Sequence, residues 1–455
     1  TWRGVMELTI QIYGEKGWCD AARLRLNEGG KRSARLAYEF DYALEYLHQT
    51  QGWHACALRY PIELMIPHDG GWFRFLDDIM PAGSARRYWV RQLDIGHLGE
   101  EGQDRTLLAL GTIAPIGNLR IKEAVERVAV QIPEQSQVTQ LRFPVAMVLE
   151  RDTDFLEYAQ QMGAASGGAT GAGGEAPKLL LRQNRNQEVW IDTFQDDPYC
   201  LDDFYLVKFP RNNRSAIDQD ILRAEYHYYQ ELNALGIDTI PIHGMRLDEG
   251  SKYPSLWLPR FDVAVQEQKL VRFGVESVYS VMDAAPGSDL NHLDILDTLL
   301  PMLEGEARQR NARFNSSAFV IEWVRRDLLN VVFGNSDNHG RNTALLKSDE
   351  GIWLAPVYDF APMKADPEGI RRTTQWGLGL EEGGQFDWVA IAQRLSHRVE
   401  PDVLLASLTE LALRLKGLPE RLARRGVPVS ILTMPTFNFN TLDERLTVWI
   451  EQWGA

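Results

Sequence analysis

The sequence predicts an α+β fold whose amino-terminal part is rich in strands and whose carboxy-terminal part is mainly helical. Three stretches carry this reading. Residues 5–13 (VMELTIQIY) alternate apolar and polar side chains as a half-buried strand does. The glycine-rich run GAASGGATGAGG at 163–174 is followed by two strand-like segments, PKLLLR and FYLVKFP. Beyond Phe261 the spacing turns mainly helical, most plainly over 316–333 (SSAFVIEWVRRDLLNVVF) and 401–424 (PDVLLASLTELALRLKGLPERLAR).

Taken in order, the 5–13 strand gives way to helical spacing at 83–93 (GSARRYWVRQL) and again at 105–110, and APIGNLRI returns to a short strand. Residues 1–140 read as one α+β subdomain. Glycine has no side chain to pack and loses much backbone entropy on ordering, so 163–174 is a loop. It opens a β-rich part over 141–258, in which PKLLLR turns near Gln183–Gln187. Residues 218–235 are good helix formers, with Gly236 where a C-terminal cap belongs. Residues 259–455 form the helical part, punctuated at Gly417 and Pro419.

Composition narrows the function classes. With 455 residues and 44% hydrophobic content the chain can bury a large core. Its formal net charge of −15 disfavours broad attraction to nucleic acid, which needs a surplus of Lys and Arg. The local basic run Arg86-Arg87-Tyr88-Trp89-Val90-Arg91 reads as a solvated helix face. Cys19, Cys56 and Cys200 show no C-x-x-C spacing, so neither a disulfide framework nor a cysteine zinc site is expected, and a reducing cytoplasm fits. No apolar stretch approaches the roughly 18 residues of a membrane span, and TWRGVMELTI lacks a signal-peptide core. A soluble protein without membrane association is expected.

Chemistry concentrates at 334–342 (GNSDNHGRN), a turn-like segment after a strong helix. Asp337 and Asn342 stand five positions apart, the D-x-x-x-x-N spacing with which kinase catalytic loops place a base and a magnesium ligand. TALLK, the turn SDEG and IWLAPV then read as a β-hairpin ending at Tyr358-Asp359-Phe360. Because the entrance of one hairpin strand neighbours the exit of the other, Asp337, Asn342 and Asp359 are expected at one end, an all-oxygen set suited to magnesium. Capping of turns is the commoner occupation of each residue alone.

Lys208 lies inside the apolar strand YLVKF, and Glu225 shares a helical stripe with Ile221, Tyr228, Leu232 and Leu235. A buried carboxylate needs a partner, so Lys208 is expected to reach Glu225 and a nucleotide phosphate; a rim glutamate reaching solvent is the alternative. Gly173, Gly174 and Lys178 are candidate phosphate contacts, although the loop matches neither common glycine-rich nucleotide motif and also suits a plain linker. Trp257-Leu258-Pro259-Arg260-Phe261-Asp262 joins the β-rich and helical parts, where backbone groups would meet adenine or simply connect.

These residues resemble the HipA family of toxin serine/threonine kinases, and the resemblance runs through RLAYEFDYALEYL, FLDDIMPAGSARRYWVRQLDI, LLALGTIAPIGNLRI, GGEAPKLLL, YLVKF, AEYHYYQELNALGI, LPRFD, NSDNHGRN and VYDFAPM in order. It implies a protein-kinase-like two-lobed fold with an extra N-terminal subdomain, and ATP and Mg2+ as cofactors. By the same resemblance Asp337 is the catalytic base with His339 beside it. Asn342 and Asp359 are then magnesium ligands, Lys208 grips phosphate, and 259–261 hold adenine. The implied partners are a protein substrate such as an aminoacyl-tRNA synthetase and a HipB-like helix-turn-helix antitoxin, through which alone DNA is met. The family's regulatory serine is matched by Gly171, which leaves Thr170 and Ser166 as candidate autophosphorylation sites. A small-molecule kinase and a non-catalytic ATP-binding adaptor are the alternatives.

Overall fold

In a computed structural model of the chain, the residues described are 4–27, 33–48, 51–112, 115–131, 142–151, 155, 159, 178–191, 197–199 and 201–454. They fall into two compact units, both discontinuous in sequence. One comprises Thr1–Asn212, His243–Pro286 and Arg341–Pro356; the other comprises Asn213–Ile242, Gly287–Gly340 and Val357–Ala455. Among the described residues no helix is long and apolar enough to cross a membrane.

The first unit begins with a five-stranded antiparallel sheet ordered His68–Gly70, Ala34–Tyr38, Gly17–Leu26, Met6–Gly14, Leu119–Ile121. Met6, Leu8 and Ile10 alternate with more exposed residues, as the strand reading requires. A register shift at Ile10/Gln11 marks where alternation ends and continuous burial begins. Gln11 there donates to Asp20 and accepts from Arg120, so a buried amide is satisfied. The sheet's apolar side chains pack with Phe73, Phe75, Leu76, Leu107 and Leu108 in one core.

A second, six-stranded antiparallel sheet follows the order Arg246–Asp248, Ser255–Pro259, Asp203–Lys208, Lys178–Gln183, Glu188–Trp190, Phe143–Pro144. A third joins Gly274–Ser277 to the hairpin Ala344–Lys347/Ile352–Leu354. The residues just beyond Phe261 depart from the helical reading. Val263–Gln266 and Lys269–Arg272 pair as a hairpin, and helices become long only from His292.

The second unit is helical: Ala216–Ala234, His292–Gln309, Ser316–Phe333, Trp388–Arg394, Pro401–Leu415, Leu418–Arg425 and Leu442–Trp453. Ala216–Ala234 starts in a capping box, Ser215 and Asp218 each bonding the other's backbone N–H. The break anticipated at Gly417 and Pro419 is present: one helix ends at Leu415 and the next begins at Leu418, with Gly417 left-handed at φ +74° between them.

Candidate functional site

Strand pairing decides which side chains of the second sheet share a face. Lys178 stands opposite Lys208, Leu180 opposite Leu206, and Leu258 opposite Leu206 on the next strand. Alternation sends Leu179, Leu181, Val207 and Trp257 the other way, into a core with Val148 and Phe155. One face is therefore closed by packing. The other carries two lysines at one end and Leu180, Leu206 and Leu258 beyond them. Lys208 is buried and Lys178 half-buried.

The 259–261 segment continues from the strand Ser255–Pro259. Proline lacks an N–H, and the Arg260 N–H donates to the Phe204 carbonyl at 2.9 Å. The Arg260 guanidinium is engaged by Asp262 at 2.6 and 2.9 Å, and Asp262 also accepts from the Gly117 N–H. Burial opposes the Asp262 charge, yet Arg260 and these donors hold its carboxyl below the usual range. Asn342, half-buried in the same unit, lies two residues before the strand Ala344–Lys347. The hairpin closes as SDEG foretold, with Ser348 N–H donating to Gly351, and its open end is joined by the Ala355 N–H to the Ala344 carbonyl.

In the helical unit the helix Ser316–Phe333 stops at Gly334, φ +71°, and the chain turns into 335–340. Asn338 fastens this loop: its amide donates to the Thr374 carbonyl and its oxygen accepts from the Thr373 and Thr374 N–H groups. Asp337 is left half-buried, its carboxylate 3.4 Å from the buried His339 imidazole.

Asp359 belongs to this unit too, at φ +48°, a left-handed conformation that Asp tolerates better than most residues. The run into it is held by Val357, whose N–H donates to Asp238 and whose carbonyl accepts from Ile240 N–H. Phe360 is buried against Tyr228 and Phe333, with ring centroids 5.9 and 5.2 Å away. Its N–H donates to the Tyr229 hydroxyl, which donates to Glu225 at 2.8 Å. Burial pushes that hydroxyl well above its ordinary range, and the Glu225 and Asp359 carboxylates push it further, so Tyr229 stays a donor.

Glu225 is buried at 4% exposure, which rules out the rim alternative. Asp337, His339, Asp359 and Glu225 thus lie in one unit, and Asn342, Lys178, Lys208 and 259–261 in the other. Gly171, Gly173, Gly174, Thr170 and Ser166 lie outside the described residues. Among the described residues no group of three His, Cys, Asp or Glu side chains could hold a metal ion. Tyr229, Arg341 and Asp78 escaped the sequence reading: a tyrosine in an apolar stripe looks like core, and an Asp pair like a solvated turn.

A strand face bearing paired lysines, and a helical unit holding an Asp loop and a left-handed Asp-Phe turn, define a mixed helix-and-sheet protein. Residues 170–416, more than half of the chain, match the HipA-like C-terminal domain, and the chain belongs to that family. The HipA of Shewanella oneidensis MR-1, solved with HipB and its operator DNA, shares the fold with a TM-score of 0.60 at 15% identity, over 98% of this chain and 96% of that one. The Helicobacter pylori proinflammatory kinase CtkA aligns over 63% of this chain and 92% of its own at 14% identity, with a TM-score of 0.34. No curated protein matches.

Proposed function

We propose that this chain is an ATP- and magnesium-dependent serine/threonine protein kinase of the HipA type. The observation that carries the proposal is the cross-strand lysine pair. Two lysines opposite one another at one end of the open face are placed to contact a polyphosphate lying across both strands. Leu180, Leu206 and Leu258 on the same face suit the flat apolar base of a nucleotide, with the 259–261 carbonyls at its edge.

Asp337 accepts the proton of the substrate hydroxyl, with His339 orienting its carboxylate. Asn342 and Asp359 are the residues that would hold the metal, and the Glu225–Tyr229 hydrogen bond reaches the Phe360 N–H beside Asp359. Oxygen donors of this kind fit a hard cation, and bound magnesium would neutralise charge building on the phosphoryl oxygens. Gly173 and Gly174 supply backbone N–H groups to phosphate, and Thr170 or Ser166 receives phosphate in self-modification. The substrate is a protein, an aminoacyl-tRNA synthetase being the first to try. A HipB-like antitoxin restrains the enzyme and brings it to DNA, a reading supported by the composition of the Shewanella complex. The setting is the cytoplasm.

Transfer of radiolabelled γ-phosphate from ATP into a cytosolic extract tests this directly. Asp337→Ala is expected to abolish labelling by at least about a hundredfold without loss of fold, and Asp359→Ala to weaken metal–nucleotide binding. Equal labelling by wild type and Asp337→Ala refutes the assignment. ATP binding without any labelled product favours the adaptor, and labelled small hydroxylated compounds favour the small-molecule kinase.

A further inference from the structure

The residue before Asn342 is Arg341, buried at 4% exposure. Its guanidinium donates to the Asp77 carbonyl at 2.5 Å and lies 3.9 Å from the Asp78 carboxylate. Asp78 is itself buried and accepts from the Ser277 N–H at 2.8 Å and the Ser277 hydroxyl at 2.5 Å. Ser277 pairs with Ala344, and Val278 N–H donates to the Thr343 carbonyl at 3.0 Å. Asn342 is therefore bracketed: the following residues are held by the strand Gly274–Ser277, the preceding one by the short helix Phe75–Ile79.

A second buried tie runs parallel to the first. Glu276 accepts from Lys347 at 3.0 Å, from the Leu58 N–H at 2.9 Å and from the Ser280 hydroxyl at 2.7 Å. Apolar residues would hold the same elements together as well or better, because desolvating charges offsets most of their attraction. What a hydrogen-bonded charge cluster adds is a fixed geometry.

We propose that Asp78, together with the Asp77 carbonyl, is a positioning residue that sets Arg341 and so orients the adjoining Asn342 for metal binding. The N-terminal α+β part is then a working portion of the site. The proposal rests on Asn342 being a magnesium ligand.

The test is calorimetric ATP binding to the full chain, in chelator and across a magnesium titration, with thermal unfolding followed alongside. Removing a residue that orients a metal ligand costs roughly 10–100-fold in metal affinity, so Asp78→Asn is expected to raise the half-saturating magnesium concentration by about that factor, as Asn342→Ala does. Binding in chelator should change by less than about twofold, since lysine–phosphate contacts are untouched. Arg341→Gln should match Asp78→Asn, and Arg341→Lys should recover part of the loss. If Asp78→Asn does not fold, the Arg341 pair decides. Folded variants with a wild-type magnesium requirement, against a shifted Asn342→Ala, overturn the positioning role. An unshifted Asn342→Ala sinks the metal-ligand reading itself, and the proposal with it.

Discussion

Burial pushes the Asp78 carboxyl up to about 6 against the pull of Arg341 and the Ser277 donors, with Glu276 adding to the upward push. A carboxyl whose folded value lies above its unfolded one binds more protons when folded. Its contribution to stability is full below about pH 4 and is lost as pH rises through about 6. The gap corresponds to something on the order of 2–3 kcal/mol. Subtracting the unfolding free energy of Asp78→Asn from that of wild type, at pH 4 and at pH 7, should therefore give a difference that moves against wild type as pH rises. A pH-independent difference would mean that Asp78 titrates near its ordinary value. Such a residue is hard to see in sequence. Glu225 was legible because helical spacing placed it in an apolar stripe, whereas Asp78 sits in a five-residue helix too short for any periodicity to assign a face.

Elements were legible where they were long or carried turn chemistry. The helix Ser316–Phe333 matches its sequence pattern end to end, and the hairpin at 344–354 was announced by SDEG. The Val263–Gln266/Lys269–Arg272 hairpin was not, because its turn places Glu267 and Gln268 at φ +49° and +64° without the Asn-Gly or Asp-Gly that usually mark such a turn. The loop carrying Asp337 depends on one such backbone position, Gly334. A Cβ there would lie 2.3 Å from the Phe437 ring, and φ +71° disfavours any side chain. Gly334→Ala should thus cost the left-handed penalty of roughly 1–2 kcal/mol plus the clash. Denaturant unfolding is expected to show a loss of more than about 2 kcal/mol, accompanied by a larger fall in phosphate transfer than the stability loss explains. An Ala variant as stable as wild type would show that the helix ends differently.

At the scale of the whole chain, sequence order misleads about what folds together. The family match begins at residue 170, yet Thr1–Asn212 shares a compact unit with His243–Pro286 and Arg341–Pro356. The physical reason lies in buried polar groups whose partners come from far along the chain, which no local pattern reveals. Glu276 needs Leu58, Ser277 needs Asp78, Arg341 needs Asp77, and Asp262 needs Gly117. A fragment of residues 170–455 would strip each of these at once. Losing the partner of a buried charge costs several kcal/mol, and total stabilities are about 5–15 kcal/mol, so two such losses exhaust the margin. The fragment is expected to aggregate or to unfold without a cooperative transition by tryptophan fluorescence and circular dichroism, while the full chain unfolds cooperatively. A fragment that unfolds as sharply as the full chain, and binds ATP with the same magnesium requirement, would show that residues before 170 neither support the 344–354 hairpin nor orient Asn342.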